Sequence, residues 1–135
     1  MHSYIYPCPL RWADADVNGH VNNALFLRFM EEARTRMFRE VLADDEAGRR
    51  QNAFVVSRAS VEYRAPLYYR EDPVDVHVRV SHSRAVSFEL AYEIRDADQL
   101  YAEGTTVIAA FNLDTGRPRR LTEAEQAFIA RYNDS

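Results

Sequence analysis

Asp14 and Asp16, one residue apart, are followed by Asn18, Gly19, His20, Val21, Asn22 and Asn23, and directly after them begins a long stretch of helical periodicity. The first turn of a helix carries unpaired N–H groups and a partial positive charge, so it can polarise a carbonyl oxygen or hold an anion. A carboxylate beside such donors can attack an electrophilic carbon or activate a water. Asp and Asn also precede helices as simple caps. Two aspartates, a glycine that permits a sharp turn and two adjacent asparagines are more polar chemistry than one cap requires.

The flanking pattern names the elements that must position these groups. Tyr4, Tyr6, Leu10 and Trp12 alternate, while Pro7 and Pro9 remove backbone donors, which predicts an edge strand. From Asn23 the period changes: Leu25, Phe29, Ala33 and Met37 lie four apart, widened by Phe26, Met30, Phe38 and Val41. This predicts a helix of about five turns, with Arg28, Glu32, Arg36 and Arg39 on its opposite face. The polar run Asp44 to Arg50 reads as a mobile loop. Phe54 to Tyr63, Val74 to Val80, Val86 to Ile94 and Leu100 to Leu113 read as antiparallel strands, and Thr122 with Glu125 forms a capping box opening a short closing helix. The order is α+β, without repeat or linker, and predicts one domain over 1–135. A curved antiparallel sheet wrapped around the long helix buries its broad apolar face. The sheet's edges would pair with a second copy, so a homodimer or homotetramer is expected.

Composition narrows the function classes. The formal charge of −4 argues against a general nucleic-acid binder, and no apolar run approaches membrane-spanning length. Cys8 is the only cysteine, which excludes an intrachain disulfide and a cysteine-based metal cluster. The first nine residues lack the basic and apolar regions of a signal peptide, so a cytoplasmic protein is expected.

The run Arg11-Trp12-Ala13-Asp14-Ala15-Asp16-Val17-Asn18-Gly19-His20-Val21-Asn22-Asn23, continued by Leu27 to Arg34, resembles the hotdog-fold acyl-CoA thioesterases of the 4-hydroxybenzoyl-CoA thioesterase type. Tyr63-Arg64-Ala65-Pro66-Leu67-Tyr68 and Gly116-Arg117-Pro118 extend the resemblance over nearly the whole chain. It implies a hotdog fold with sites between two subunits, and an acyl-CoA substrate with no cofactor or metal. Asp16 is implied as the catalytic carboxylate, either nucleophile or general base, with backbone N–H groups from Gly19 to Asn23 receiving the oxyanion. A thioester is already activated, so a positioned carboxylate and an oxyanion hole can suffice. The chain departs from the family at Arg70-Glu71-Asp72-Pro73, where many relatives carry a glycine followed by an acid. It departs again at His20 and Asn22, where some carry aromatics.

Around Asp16, supporting roles fall to Asp14 and Asn18 in the turn, to His20 in positioning, and to Asn22 and Asn23 as caps, with the Asn23 amide a donor to the thioester oxygen. Arg58, Arg64 and Arg84 are candidates for the coenzyme A phosphates. Two alternatives stay open: a hotdog protein that binds acyl groups without hydrolysis, or a dehydratase of the same fold. A third is calcium, because Asp14, Asp16, Asn18 and Gly19 match positions one, three, five and six of an EF-hand loop. Against it, the twelfth position is Leu25, and Pro7 and Pro9 stand where an incoming helix should be.

Overall fold

A computed structural model describes residues 2–133, so Met1, Asp134 and Ser135 of the expected domain lie outside the described residues. Five main strands form one antiparallel sheet in the order β1-β3-β4-β5-β2: β1 Tyr4–Cys8, β2 Ala53–Tyr63, β3 Val74–Ser83, β4 Ser87–Arg95 and β5 Leu100–Asn112. A two-residue strand, β6 (Arg117–Pro118), adds to β5. Strand β1 is an edge, as its prolines require, and β2 is the other. The alternation in β3 is strict. Val74, Val76, Val78 and Val80 are buried on the inner face, while Asp75, His77 and Arg79 stand on the outer one.

Helix α1, Phe26–Met37, lies on the inner face and buries Phe26, Phe29, Met30, Ala33 and Met37. It is shorter than the periodicity predicts. Asn23–Leu25 before it and Phe38–Glu40 after it are tighter 3-10 turns, which together restore the expected span. The helix seats closely against the sheet at Gly104, where a Cβ would stand 2.3 Å from the Ser60 carbonyl oxygen and 3.0 Å from the Met30 methyl. Contrary to the loop expected over Asp44 to Arg50, Glu46–Gln51 forms a short helix, α2, capped by the Asp45 carboxylate on the Gly48 amide. The closing helix α3, Glu123–Arg131, has the predicted Thr122–Glu125 capping box. Its buried Glu125 also takes the Arg119 guanidinium at 2.8 and 3.0 Å.

The result is the hotdog arrangement: a curved antiparallel sheet around one central helix, closed by a short C-terminal one. Cys8 sits fully buried in this core, and burial, followed by the charge of Glu32, pushes its thiol up to about 12.

Candidate active site

The segment between β1 and α1 folds as a small hairpin. Trp12–Asp14 makes one 3-10 turn, Ala15 bridges to Val21, and the Asp16 amide donates to the His20 carbonyl at 2.8 Å. Asp16 to Gly19 closes the hairpin with the Gly19 amide on the Asp16 carbonyl, and Gly19 takes a φ of +82° that a side chain would strain. A second strand-like segment runs alongside. Leu67 accepts from the Val21 amide at 2.6 Å, the Tyr69 amide donates to the Gly19 carbonyl at 3.3 Å, and the His20 and Tyr68 rings meet edge to face at 4.6 Å. Asn22 caps the following turn, its Oδ1 accepting from the Ala24 amide at 2.9 Å.

The two aspartates have different surroundings. Asp14 is buried and accepts from the Arg11 amide at 2.9 Å, from the Arg11 guanidinium at 3.0 and 3.2 Å, and from Arg28 at 3.2 Å. Burial alone would raise its pKa, but these bonds outweigh it and hold the carboxyl below the usual Asp value. Asp14 is therefore an anchor: its carbonyl also takes the Asn22 amide at 3.0 Å, tying the hairpin to the helix start. The Asp16 carboxylate is exposed and makes an Asx turn to the Asn18 amide at 2.9 Å. Exposed apolar side chains surround this stretch: Trp12, Val17 and Tyr68.

The five amides expected around the oxyanion do not all remain available. Gly19, Val21 and Asn22 donate within the fold, to Asp16, Leu67 and Asp14, because the hairpin must satisfy its own backbone. This corrects the expectation of free donors at those three, whose amides instead hold the hairpin together. The His20 and Asn23 amides take no acceptor among the described residues, and Asn23 stands at the positive end of the helical run. Tyr63, which sequence reasoning left unassigned, donates its hydroxyl to the Asn23 carbonyl at 3.0 Å.

The three arginines expected at coenzyme A separate. Arg58 and Arg84 line one groove of about 230 Å³ on the outer face of the sheet, with His82, Ser87 and Glu89. Arg64 stands at the far end of β2, bound to Glu62 at 2.5 Å and Glu103 at 2.8 Å. Six residues of strand separate it from Arg58, about 20 Å, and its charge is already answered, so the structure does not bring it to the other two. The calcium alternative also fails on geometry. Asp14 turns to two arginines and Asp16 to its own turn, and no group of three or more His, Cys, Asp or Glu among the described residues could hold a metal.

Residues 10–130 match the thioesterase-like superfamily. The chain belongs to that superfamily. This thioesterase is 27% identical over 128 residues to the acyl-CoA thioester hydrolase YbgC of Escherichia coli, covering 92% of this chain and 95% of the relative. Among solved structures, a thioesterase from Thermus thermophilus complexed with coenzyme A and zinc is 35% identical, with a TM-score of 0.77 over 93% of this chain and 95% of that one. Slr0204, a 1,4-dihydroxy-2-naphthoyl-CoA thioesterase from Synechocystis, is 25% identical, with a TM-score of 0.81 over 96% of both chains. The chain is a thioester hydrolase of the hotdog fold. Among the described residues, no helix is long and apolar enough to cross a membrane.

Proposed function

We propose that this thioesterase hydrolyses a small-molecule acyl-CoA at Asp16, with the Asn23 amide as the chief oxyanion donor. The observation that carries the reading is the unspent Asn23 N–H at the helix start, on the same short unit as the exposed Asp16 carboxylate. That unit is fixed by the Asn22–Asp14 backbone bond and by the Arg11 and Arg28 contacts of Asp14. Attack on the thioester carbon places negative charge on its oxygen. An aligned amide stabilises that charge, the C–S bond then breaks, and the thiolate leaves. Asp16 serves as nucleophile, forming a mixed anhydride that water opens, or as the base that takes a proton from water. No resident cofactor or metal enters either route.

Arg58 and Arg84, two guanidiniums on one groove and neither in an ion pair among the described residues, suit the coenzyme A phosphates. A second copy of the chain completes the reading. Strand β2 is an open edge whose central residues, Val56 to Ser60, are exposed, and edges of this kind pair antiparallel with a copy. Such an assembly would cover the apolar side chains beside Asp16. A cytoplasmic location fits the unpaired buried thiol.

Thiol release from a panel of acyl-CoA substrates tests the proposal, with Asp16→Asn as the comparison. The expected result is a loss of at least about a hundredfold in kcat with unchanged melting. Near-parent turnover by the variant would refute the role of Asp16. A folded parent inactive on every substrate would favour an acyl-binding protein.

A further inference from the structure

Among the described residues, the hairpin that carries Asp16 pairs by backbone bonds with one flanking segment, 67–69, and Tyr101 reaches that segment at both ends. The Arg64 and Ala65 amides both donate to the Tyr101 carbonyl, at 2.8 and 3.2 Å. Beyond Tyr69, the Arg70 guanidinium meets both oxygens of Asp96, at 2.5 and 2.7 Å, and reaches the Tyr101 hydroxyl at 3.4 Å. That hydroxyl donates to Asp96 at 2.5 Å. The remaining N–H groups of Arg70 go to the Asp72 and Pro73 carbonyls, at 3.2 and 3.0 Å, so the turn closes around its own guanidinium.

We propose that Arg70, Asp96 and Tyr101 are positioning residues that hold the Asp16 hairpin in register through the 67–69 segment. The inference rests on the reading of Asp16 given above. The route is continuous: Asp96 and Tyr101 fix Arg70, Arg70 fixes the end of the segment, and Leu67 and Tyr69 hold Val21 and Gly19 by backbone bonds. The His20 carbonyl between them receives the Asp16 amide. Released at the Arg70 end, the segment would keep its Tyr101 carbonyl attachment but lose the bond that aligns Tyr69 with Gly19. A carboxylate displaced by about an ångström loses much of its rate advantage while substrate binding elsewhere is untouched.

Asp96→Asn and Arg70→Lys are therefore expected to lower kcat by about tenfold or more while KM stays within about threefold. Tyr101→Phe, which keeps its carbonyl, should have a smaller effect in the same direction. Amide hydrogen exchange should quicken at Val21 and Tyr69 in these variants by a larger factor than at Val78 and Leu90 in the sheet, whose exchange follows global stability. A purely structural role would instead quicken exchange by the same factor at all four amides and leave kcat per folded molecule unchanged. Unchanged exchange at Val21 and Tyr69 in folded Asp96→Asn would overturn the proposal, as would a parent-like kcat with faster exchange there. If Asp96→Asn does not fold, Tyr101→Phe decides by the same readings. Asp16→Asn separates the two ideas: if it keeps activity, the Asp16 reading fails while exchange still tells whether the clamp holds the hairpin. If Asp16 is catalytic, adding Asp96→Asn to it should cost little further turnover.

Discussion

Replacing Asp14 with alanine is the sharpest test of how the hairpin is built. The substitution removes a buried carboxylate that accepts four hydrogen bonds, and it leaves the Arg11 amide without its acceptor. Breaking a buried pair by deleting one partner costs about 3–5 kcal/mol. The arginine side chains, however, are 65% and 32% exposed and regain water, which lowers the expected loss to about 2–3 kcal/mol. With an unfolding entropy of about 2.1 cal/mol/K per residue over the 135 residues, a loss of about 2.5 kcal/mol lowers Tm by roughly 9 °C. Asp14→Asn keeps the shape and one acceptor and should lose about half as much. The folded carboxyl lies below its ordinary value, so its contribution is complete above that value and fades as the pH falls beneath it. The gap in Tm between the parent and Asp14→Asn should accordingly narrow in acid. Thermal unfolding followed by circular dichroism, at one protein concentration because association alters Tm, measures all three proteins. If Asp14→Ala melts within about 2 °C of the parent at neutral pH, Asp14 is not the anchor described.

Phe29→Asp puts an unpaired charge at a fully buried position of α1 and should cost several kcal/mol, seen as loss of the folding transition. Gly104→Ala forces a methyl against the Ser60 carbonyl and should destabilise by about 2 kcal/mol in denaturant titration; a neutral result would mean that strands β2 and β5 can give way freely there. The Arg70 guanidinium, and secondarily the Tyr101 hydroxyl, hold Asp96 down to about 2, against the opposing effect of burial. Its contribution is present above the ordinary Asp value and disappears as the pH falls toward 2, so the parent should lose up to about 2 kcal/mol more than Asp96→Asn over that range. Parallel acid unfolding curves for the two would contradict this.

Local pattern made much of the molecule legible. The strict alternation of β3 and the four-residue spacing from Leu25 to Met37 each report one buried face, and both faces lie where the pattern put them, with Leu25 only partly covered. The Thr122–Glu125 box was readable because both partners fall within one turn. Helix α2 was not, since it buries no residue and so leaves no periodicity, and Gly48 lowers its propensity. The start of α1 was displaced because Asn22 caps a 3-10 turn that composition does not distinguish from an α-helical one. In the site, the aspartates were evident from type and spacing, but the Val21 amide is spent on Leu67, more than forty positions away. Arg70 and Asp96, 26 apart, carry no shared local signature. Arg58 and Arg84 meet only through strand register, the same register that sends Arg64 elsewhere.

The lone sulfhydryl, turned into the core from the end of β1 and disinclined to ionise, makes the protein its own control in a colorimetric experiment. A disulfide dye that counts liberated coenzyme A would find nothing to modify on the intact enzyme. A slow extra signal approaching one equivalent per chain would register denaturation during the run, so catalysis and loss of native material could be followed in a single cuvette.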